Sequence, residues 1–290
     1  MTAMTVMQID LAAAEEFVLT HARLLERRRL AVLVHDGDVA EMLPALSAFQ
    51  NADGGFGHAL EPDVRGPHSE TTSTLTGLEL LDVHNALDHE MAGRALRWVG
   101  SVVRRDGGIP FMLPASDPFP HAPWMQSAEE GSHLTYGFAG IASRAGSSEP
   151  WVQHAENWCW DQLSRPEQIT GMLLKFALAF LDAHPDDERT GPAVDAVRGA
   201  VGTDGCVPVP GGTEDEKLTP LALSPHPGRP SRSIFTDQQI QADLDRLAAE
   251  QQGDGGWTFD WAEWCPAQGL DWRGVQTLAA LQSLREHIDT

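Results

Sequence analysis

The chain has 290 residues, 42% of them hydrophobic, and a formal net charge of −22. That length holds one large or two small folding units. So acidic a surface repels phosphate backbones and anionic lipid, which argues against nucleic-acid partners and membrane docking and otherwise serves to solubilise the protein.

Met1 to Leu11 lacks a basic segment followed by an apolar run, so no secretory leader is expected. Val39, Met42, Leu43, Leu46 and Phe49 then fall on one helical face. The helix stops at Gln50-Asn51-Ala52-Asp53-Gly54-Gly55-Phe56, where glycine supplies the positive φ of a helix end. Ser69 to His84 follows as a helix that is small or apolar on nearly every side. Further helices are expected at Met91–Val103, Leu134–Ser143, Trp151–Leu163, Ile169–Leu181 and Ala193–Val201. Pro208 to Ser233 has no clear helical period and reads as a long loop, either a lid carrying His226, Arg229 and Arg232 or a surface excursion. Thr236 and Gln239 form a capping box, Ile240, Leu244 and Leu247 continue that helix, and Gln251-Gln252-Gly253-Asp254-Gly255-Gly256-Trp257 ends it. Arg273 to Leu284 is again small and apolar all round. No long alternating strand pattern is present.

The Asp-Gly turn is a repeat. Asp53 and Asp254 mark two strong copies, Asp106 and Asp204 two weaker ones, and the intervals are 53, 98 and 50 residues. The long interval is close to two periods, which places a degenerate copy near residue 155, at Ala155-Glu156-Asn157-Trp158-Cys159-Trp160. About six helical pairs fit the chain, each with one outer and one inner helix. The expected fold is all-α, an (α/α)6 toroid forming a single domain over residues 1–290. Cys159, Cys206 and Cys265 make neither a disulfide framework nor a CxxC zinc pattern, which fits reduced thiols in the cytoplasm. No stretch reaches the roughly 18 apolar residues of a membrane span.

The segments at Gln50 and Gln251 resemble the QW motifs of the squalene-hopene-cyclase and protein-prenyltransferase β-subunit superfamily. Gly66-Pro67-His68-Ser69-Glu70-Thr71-Thr72-Ser73 and Trp272-Arg273-Gly274-Val275-Gln276-Thr277-Leu278 resemble the stretches by which that family starts an inner helix. The resemblance implies that Gln50 and Gln251 tie helix ends together, with Phe56 and Trp257 packed beneath. It also implies a reaction chamber in the ring. The family's Asp-x-Asp-Asp acid motif is absent, Asp186-Asp187-Glu188 is only a fragment of its magnesium motif, and its zinc ligands are not recognisable. The chain looks closest to single-toroid members of that superfamily.

Two polar clusters follow turns. His58, Glu61, Asp63, Arg65, His68 and Glu70 can do acid–base work: Glu61 or Asp63 as a carboxylic acid kept neutral by burial, His58 or His68 as its orienting partner. The alternative is a salt-bridged loop that pins the repeat. Glu129, Glu130, Ser132, His133, Thr135 and the lone Tyr136 form the second cluster; too few ligands are visible for zinc, and Ser132 reads equally as a helix cap. Among nine tryptophans, Trp124, Trp261 and Trp264 are candidates to line a pocket, with cation–π attraction of about 0.5–2 kcal/mol per contact, against ordinary core packing.

These features lead to an expected enzyme of the terpenoid-cyclase type. It would take a prenyl or other apolar small molecule into a central cavity and cyclise or isomerise it by metal-independent, proton-initiated chemistry without a cofactor. Asp63, Glu61, His58 and His68 would be catalytic; Trp261, Trp264, Trp124, Tyr136, His133, Glu130 and Arg65 would bind substrate. Two alternatives remain: a non-catalytic ligand-binding toroid, and a carbohydrate-active α/α-barrel hydrolase or lyase with two facing carboxylates. Oligomeric state is left open.

Overall fold

The Asp-Gly turn builds the fold. In the computed structural model, which describes residues 9–288, Gly54, Gly107, Gly205 and Gly255 have φ of 101°, 92°, 84° and 89°, a region that costs glycine little. Oδ1 of the preceding aspartate (Asp53, Asp106, Asp204 and Asp254) accepts the backbone N–H two residues on, at 3.1, 3.1, 3.0 and 3.2 Å. A second bond then recurs. The backbone N–H of Phe56, Ile109 and Trp257 donates to Oγ1 of Thr74, Thr135 and Thr277 at 2.9, 2.8 and 3.0 Å. Three turns are thus tied in the same way to the helix that follows each of them.

Among the described residues twelve α-helices alternate in pairs: α1 (Leu11–His21), α2 (Leu24–His35), α3 (Val39–Ser47), α4 (Thr71–Val83), α5 (Glu90–Val102), α6 (Leu134–Arg144), α7 (Val152–Leu163), α8 (Met172–Ala183), α9 (Thr190–Val197), α10 (Pro220–Leu223), α11 (Asp237–Ala249) and α12 (Pro266–Ile288). A two-residue antiparallel pair, Val207–Pro208 with Lys217–Leu218, stands before α10. α4, α6, α8 and α10 each pack on the odd-numbered helix that follows, α2 packs on α1 and α3, and α12 on α11; α4 also packs on α6, α6 on α8 and α8 on α10. α12 packs on α1 and α2, which closes the arrangement into an all-α toroid.

Inner helices meet neighbours on both sides, so their sequence is small and apolar around most of the circumference. α6 buries every residue from Leu134 to Ala142. At Gly77 on α4 a methyl group would lie 2.8 Å from the Phe56 ring, so the missing side chain is what lets that ring seat. The glutamines that precede the two strong turns bridge outward. Gln50 Nε2 donates to the carbonyls of Gly54 and Met91, both at 2.9 Å. Gln251 Nε2 donates to those of Gly255 and Asp10, at 2.9 and 2.8 Å.

Several elements differ from the sequence reading. α1 and α2 carry no signal that was recognised: α2 contains three consecutive arginines and buries Glu26 and Arg29, so its apolar face is broken. Ala155 to Trp160 lie inside α7 rather than in a turn; the link of that unit falls at 164–171, where Gly171 has φ 56° and no Asp-Gly pair occurs. α8 starts at Met172, not Ile169, because Pro166–Gln168 forms a 3-10 turn first. The segment 208–233 is an ordered part of the ring. His226 pairs with Glu286 at 2.9 Å and Arg232 donates to the Ser224 carbonyl at 2.7 Å.

Candidate functional site

Three connecting segments meet over the N-terminal ends of α4, α6 and α12. Arg65 N–H donates to Pro120 O at 3.0 Å and Ala122 N–H to Asp63 O at 2.8 Å. Val64, Met112, Ala122 and Met125 form a small apolar cluster of their own, with Phe111 and Trp264 packed against it. Glu70, the N-cap of α4, holds this cap from below: its carboxylate accepts Leu113 N–H at 2.9 Å and Ser116 Oγ–H at 2.6 Å. Burial raises the Glu70 pKa; the Ser116 and Thr71 hydrogen bonds pull it down.

Asp63 is 5% exposed and accepts four hydrogen bonds. Trp264 Nε1, Gln268 Nε2 and Trp272 Nε1 reach Oδ1 at 3.2, 2.9 and 3.1 Å, and Trp124 Nε1 reaches Oδ2 at 3.2 Å. Only an acceptor at both oxygens satisfies three indoles and an amide. One carboxylate thereby joins the 110–131 segment, the 258–265 segment and the first turns of α12. Beside it Arg65 pairs with Asp271 at 2.8 Å. Arg23 grips Glu26 through two nitrogens, at 2.9 and 2.7 Å, and donates to Ala59 O at 2.7 Å.

Glu61 has a different environment. Burial, and after it the charge of Asp63, push its carboxyl up to about 8, against the Thr76 hydrogen bond, which pulls the other way. Thr76 Oγ1 lies 3.3 Å from Oε2. At neutral pH this group is mostly a carboxylic acid, the form needed to donate a proton. Thr72, Thr76 and Glu79 follow at helical spacing on α4, with His133 at the N-cap of α6, Gly137 and Arg144 on α6, and Lys175 and Phe176 on α8. Glu79, Gly137, Arg144, Lys175 and Phe176 line a cavity of about 70 Å³. The His133 ring lies 5.1 Å from Phe111 and 5.0 Å from Phe176. Burial, then the nearby Lys175 charge, lower its pKa to about 4, so it is neutral at pH 7. A larger cavity, about 520 Å³, lies between α2 and α3 against Leu24, Pro44 and Phe49, away from these groups.

The expected residues divide as follows. Glu61, Asp63, Trp124 and Trp264 come together, and Arg65 lies next to them. Trp261 packs edge-on to Trp272 at 5.0 Å and against Phe259 at 4.7 Å. His58 is exposed and bonds Asn51 Oδ1 at 2.9 Å; His68 is exposed and stands edge-on to Phe119. Neither imidazole has Glu61 or Asp63 as its partner in these contacts. Tyr136 is fully buried between Trp158 and Phe180, in the wall rather than on the Glu79 stripe. Glu130 is exposed in the segment before α6, while Ser132 accepts Leu134 N–H at 3.3 Å. Gln268, Asp271, Thr76, Glu79 and Lys175 were not singled out from the sequence. Gln268 and Trp272 are four apart, the spacing of one helix face, but the expected helix began only at Arg273. Among the described residues no group of three or more His, Cys, Asp or Glu side chains is placed to hold a metal, and no helix is long and apolar enough to cross a membrane.

No family model and no curated protein matches the chain. Solved structures do match it along nearly the whole length. A protein from Actinoplanes superposes with a TM-score of 0.58 at 19% identity, covering 96% of this chain and 98% of that one. A variant of the type II terpene cyclase MstE from Scytonema, in complex with its substrate geranylgeranyl dihydroxybenzoate, gives 0.57 at 10% identity, covering 95% and 96%. The apo form of MstE gives 0.53 at 13% identity, covering 96% and 97%. At such identities the likeness establishes a terpene-cyclase-like fold.

Proposed function

We propose that this chain is a metal-independent, terpenoid-cyclase-like enzyme, one toroid domain over residues 1–290. Its substrate is a prenylated or other apolar small molecule held inside the ring. The observation that carries this reading is Glu61, held against Thr76 of α4 with its carboxyl pushed by burial up to about 8. The Glu61 O–H gives its proton to an alkene carbon and becomes a carboxylate; loss of a proton from the product cation returns it. Trp261 and Trp272 offer aromatic faces to the cation, and Asp63 positions Trp272 by accepting its indole N–H. The turns at Gln50 and Gln251 act as the QW-type ties of this class, outside the chemistry. MstE, similar in fold, takes a geranylgeranyl aromatic acid, which supports the choice of prenylated substrates for assay.

The test is incubation of the purified chain with prenylated phenolic acids, read by chromatography for products of unchanged mass. Glu61→Gln is expected to abolish turnover with its helical circular dichroism retained. Full turnover in Glu61→Gln would overturn the assignment.

One observation favours a second reading, a ligand-holding toroid without catalysis. The cavity of about 70 Å³ is small beside the roughly 300–1,000 Å³ of most ligand sites. On that reading a ligand binds and is recovered unchanged by wild type and by Glu61→Gln alike.

A further inference from the structure

Lys175 and Lys217 are the only lysines in the chain. Lys217 is exposed at the small strand pair. Lys175 lies within the otherwise apolar run Met172–Phe180 of α8 and lines the cavity between α4, α6 and α8. Among the described residues no carboxylate comes within 4 Å of its ammonium. The neighbouring cation, Arg144, is already taken: its Nε lies 2.8 Å from Asp82 Oδ2. His133 is neutral at pH 7 and supplies no balancing charge. The remaining charged group on the cavity is Glu79, which stands exposed at its edge. Partial desolvation of its carboxyl against the helices raises its pKa, and Lys175 and Arg144 lower it. Lys175 thus lines, with Gly137 and Phe176, a cavity in which no carboxylate makes a direct ion pair with it.

We propose that this cavity binds the anionic head of an amphipathic ligand, a carboxylate of aryl-acid size, with Lys175 Nζ as its counter-charge. The small volume suits a head group rather than a whole prenyl chain. Glu61 and Glu79 feel each other electrostatically, which places the head site near the proposed proton donor. The binding step itself is independent of turnover; only the presence of a tail rests on the reading above.

The probe is benzoate, with benzamide as its neutral isostere, titrated into the purified chain by calorimetry and by thermal shift. Wild type is expected to bind benzoate saturably at one site, with at least tenfold preference over benzamide. Lys175→Met is expected to lose at least tenfold in benzoate affinity, and Lys175→Arg to keep most of it. Circular dichroism of both variants controls for folding. Equal benzoate affinity in wild type and Lys175→Met, or equal binding of benzoate and benzamide, overturns the proposal. Benzoate binding without turnover of any prenylated acid keeps the subsite and removes the enzyme reading; turnover that is insensitive to Lys175→Met does the reverse.

Discussion

A glutamate that stays protonated in the folded chain makes folding take up a proton. The Glu61 carboxyl moves from 4.5 to about 8 on folding, burial being the main cause and Asp63 the second. Below pH 4.5 both states are protonated and the group is neutral to stability. Between 4.5 and about 8 the folded state holds a proton that the unfolded state has released, so rising pH costs stability throughout that window. Glu61→Gln removes this loss. Melting temperature measured from pH 4.5 to 8.5 is expected to fall more steeply for wild type than for the variant, with the variant the more stable at pH 8. Parallel curves would show that Glu61 ionises freely. Asp63 calls for a different test. An asparagine can keep one oxygen on Trp264, Gln268 and Trp272, but its amide then faces the Trp124 indole donor to donor. Asp63→Asn is expected to cost about 1–3 kcal/mol, the range for leaving buried donors unpaired. Denaturation followed by tryptophan fluorescence reads both the loss and the changed indole environment; an unmoved midpoint would show the clamp to be dispensable. The sequence pointed to Asp63 through its polar neighbours, but its partners Trp264, Gln268 and Trp272 stand 201, 205 and 209 residues away. Nothing local foretells that convergence.

Elements were legible where turn chemistry is local. The Asp-Gly pairs at 53, 106, 204 and 254 each end a helix, and Thr236 with Gln239 makes the capping box expected of them. The α7–α8 link was misplaced because it has no Asp-Gly pair, and α2 was missed because its buried charges hide its period. The glycines in these turns do more than permit a left-handed backbone, and this separates two substitutions. A Cβ at Gly107 would lie 2.1 Å from the His154 carbonyl oxygen, on the start of α7, whereas one at Gly146 (φ 59°) would meet nothing within 4 Å. Gly146→Ala therefore carries only the backbone penalty, about 1–2 kcal/mol. Gly107→Ala adds forced separation of the turn from α7, a further 1–3 kcal/mol or so. Urea midpoints of the two variants are expected in that order. Similar midpoints would mean that the turns do not bear on the neighbouring helix.

At the scale of the molecule, a ring must close, and closure joins residues that are remote along the chain. Gln251 Oε1 accepts Asp10 N–H at 2.8 Å and its Nε2 donates to Asp10 O at 2.8 Å, across 241 positions. Gln50 bridges to Met91 across 41 through its Nε2 alone. The two glutamines sit in matching turns and differ in the length of chain they span and by the one extra bond that Gln251 makes, so the pair compares remote closure with a local tie. Loop entropy must be met before a remote contact stabilises anything, which places such contacts late in folding. Gln50→Ala and Gln251→Ala are each expected to destabilise by about 1–2 kcal/mol, the worth of their hydrogen bonds. Their kinetics should differ: Gln251→Ala speeds unfolding and leaves refolding unchanged, while Gln50→Ala also slows refolding, because its unit forms before the ring shuts. Stopped-flow denaturant jumps on both variants read the two rates separately. A slowed refolding rate in Gln251→Ala would place closure in the folding nucleus, with the ends of the ring meeting first and the hairpins between them filling in afterwards.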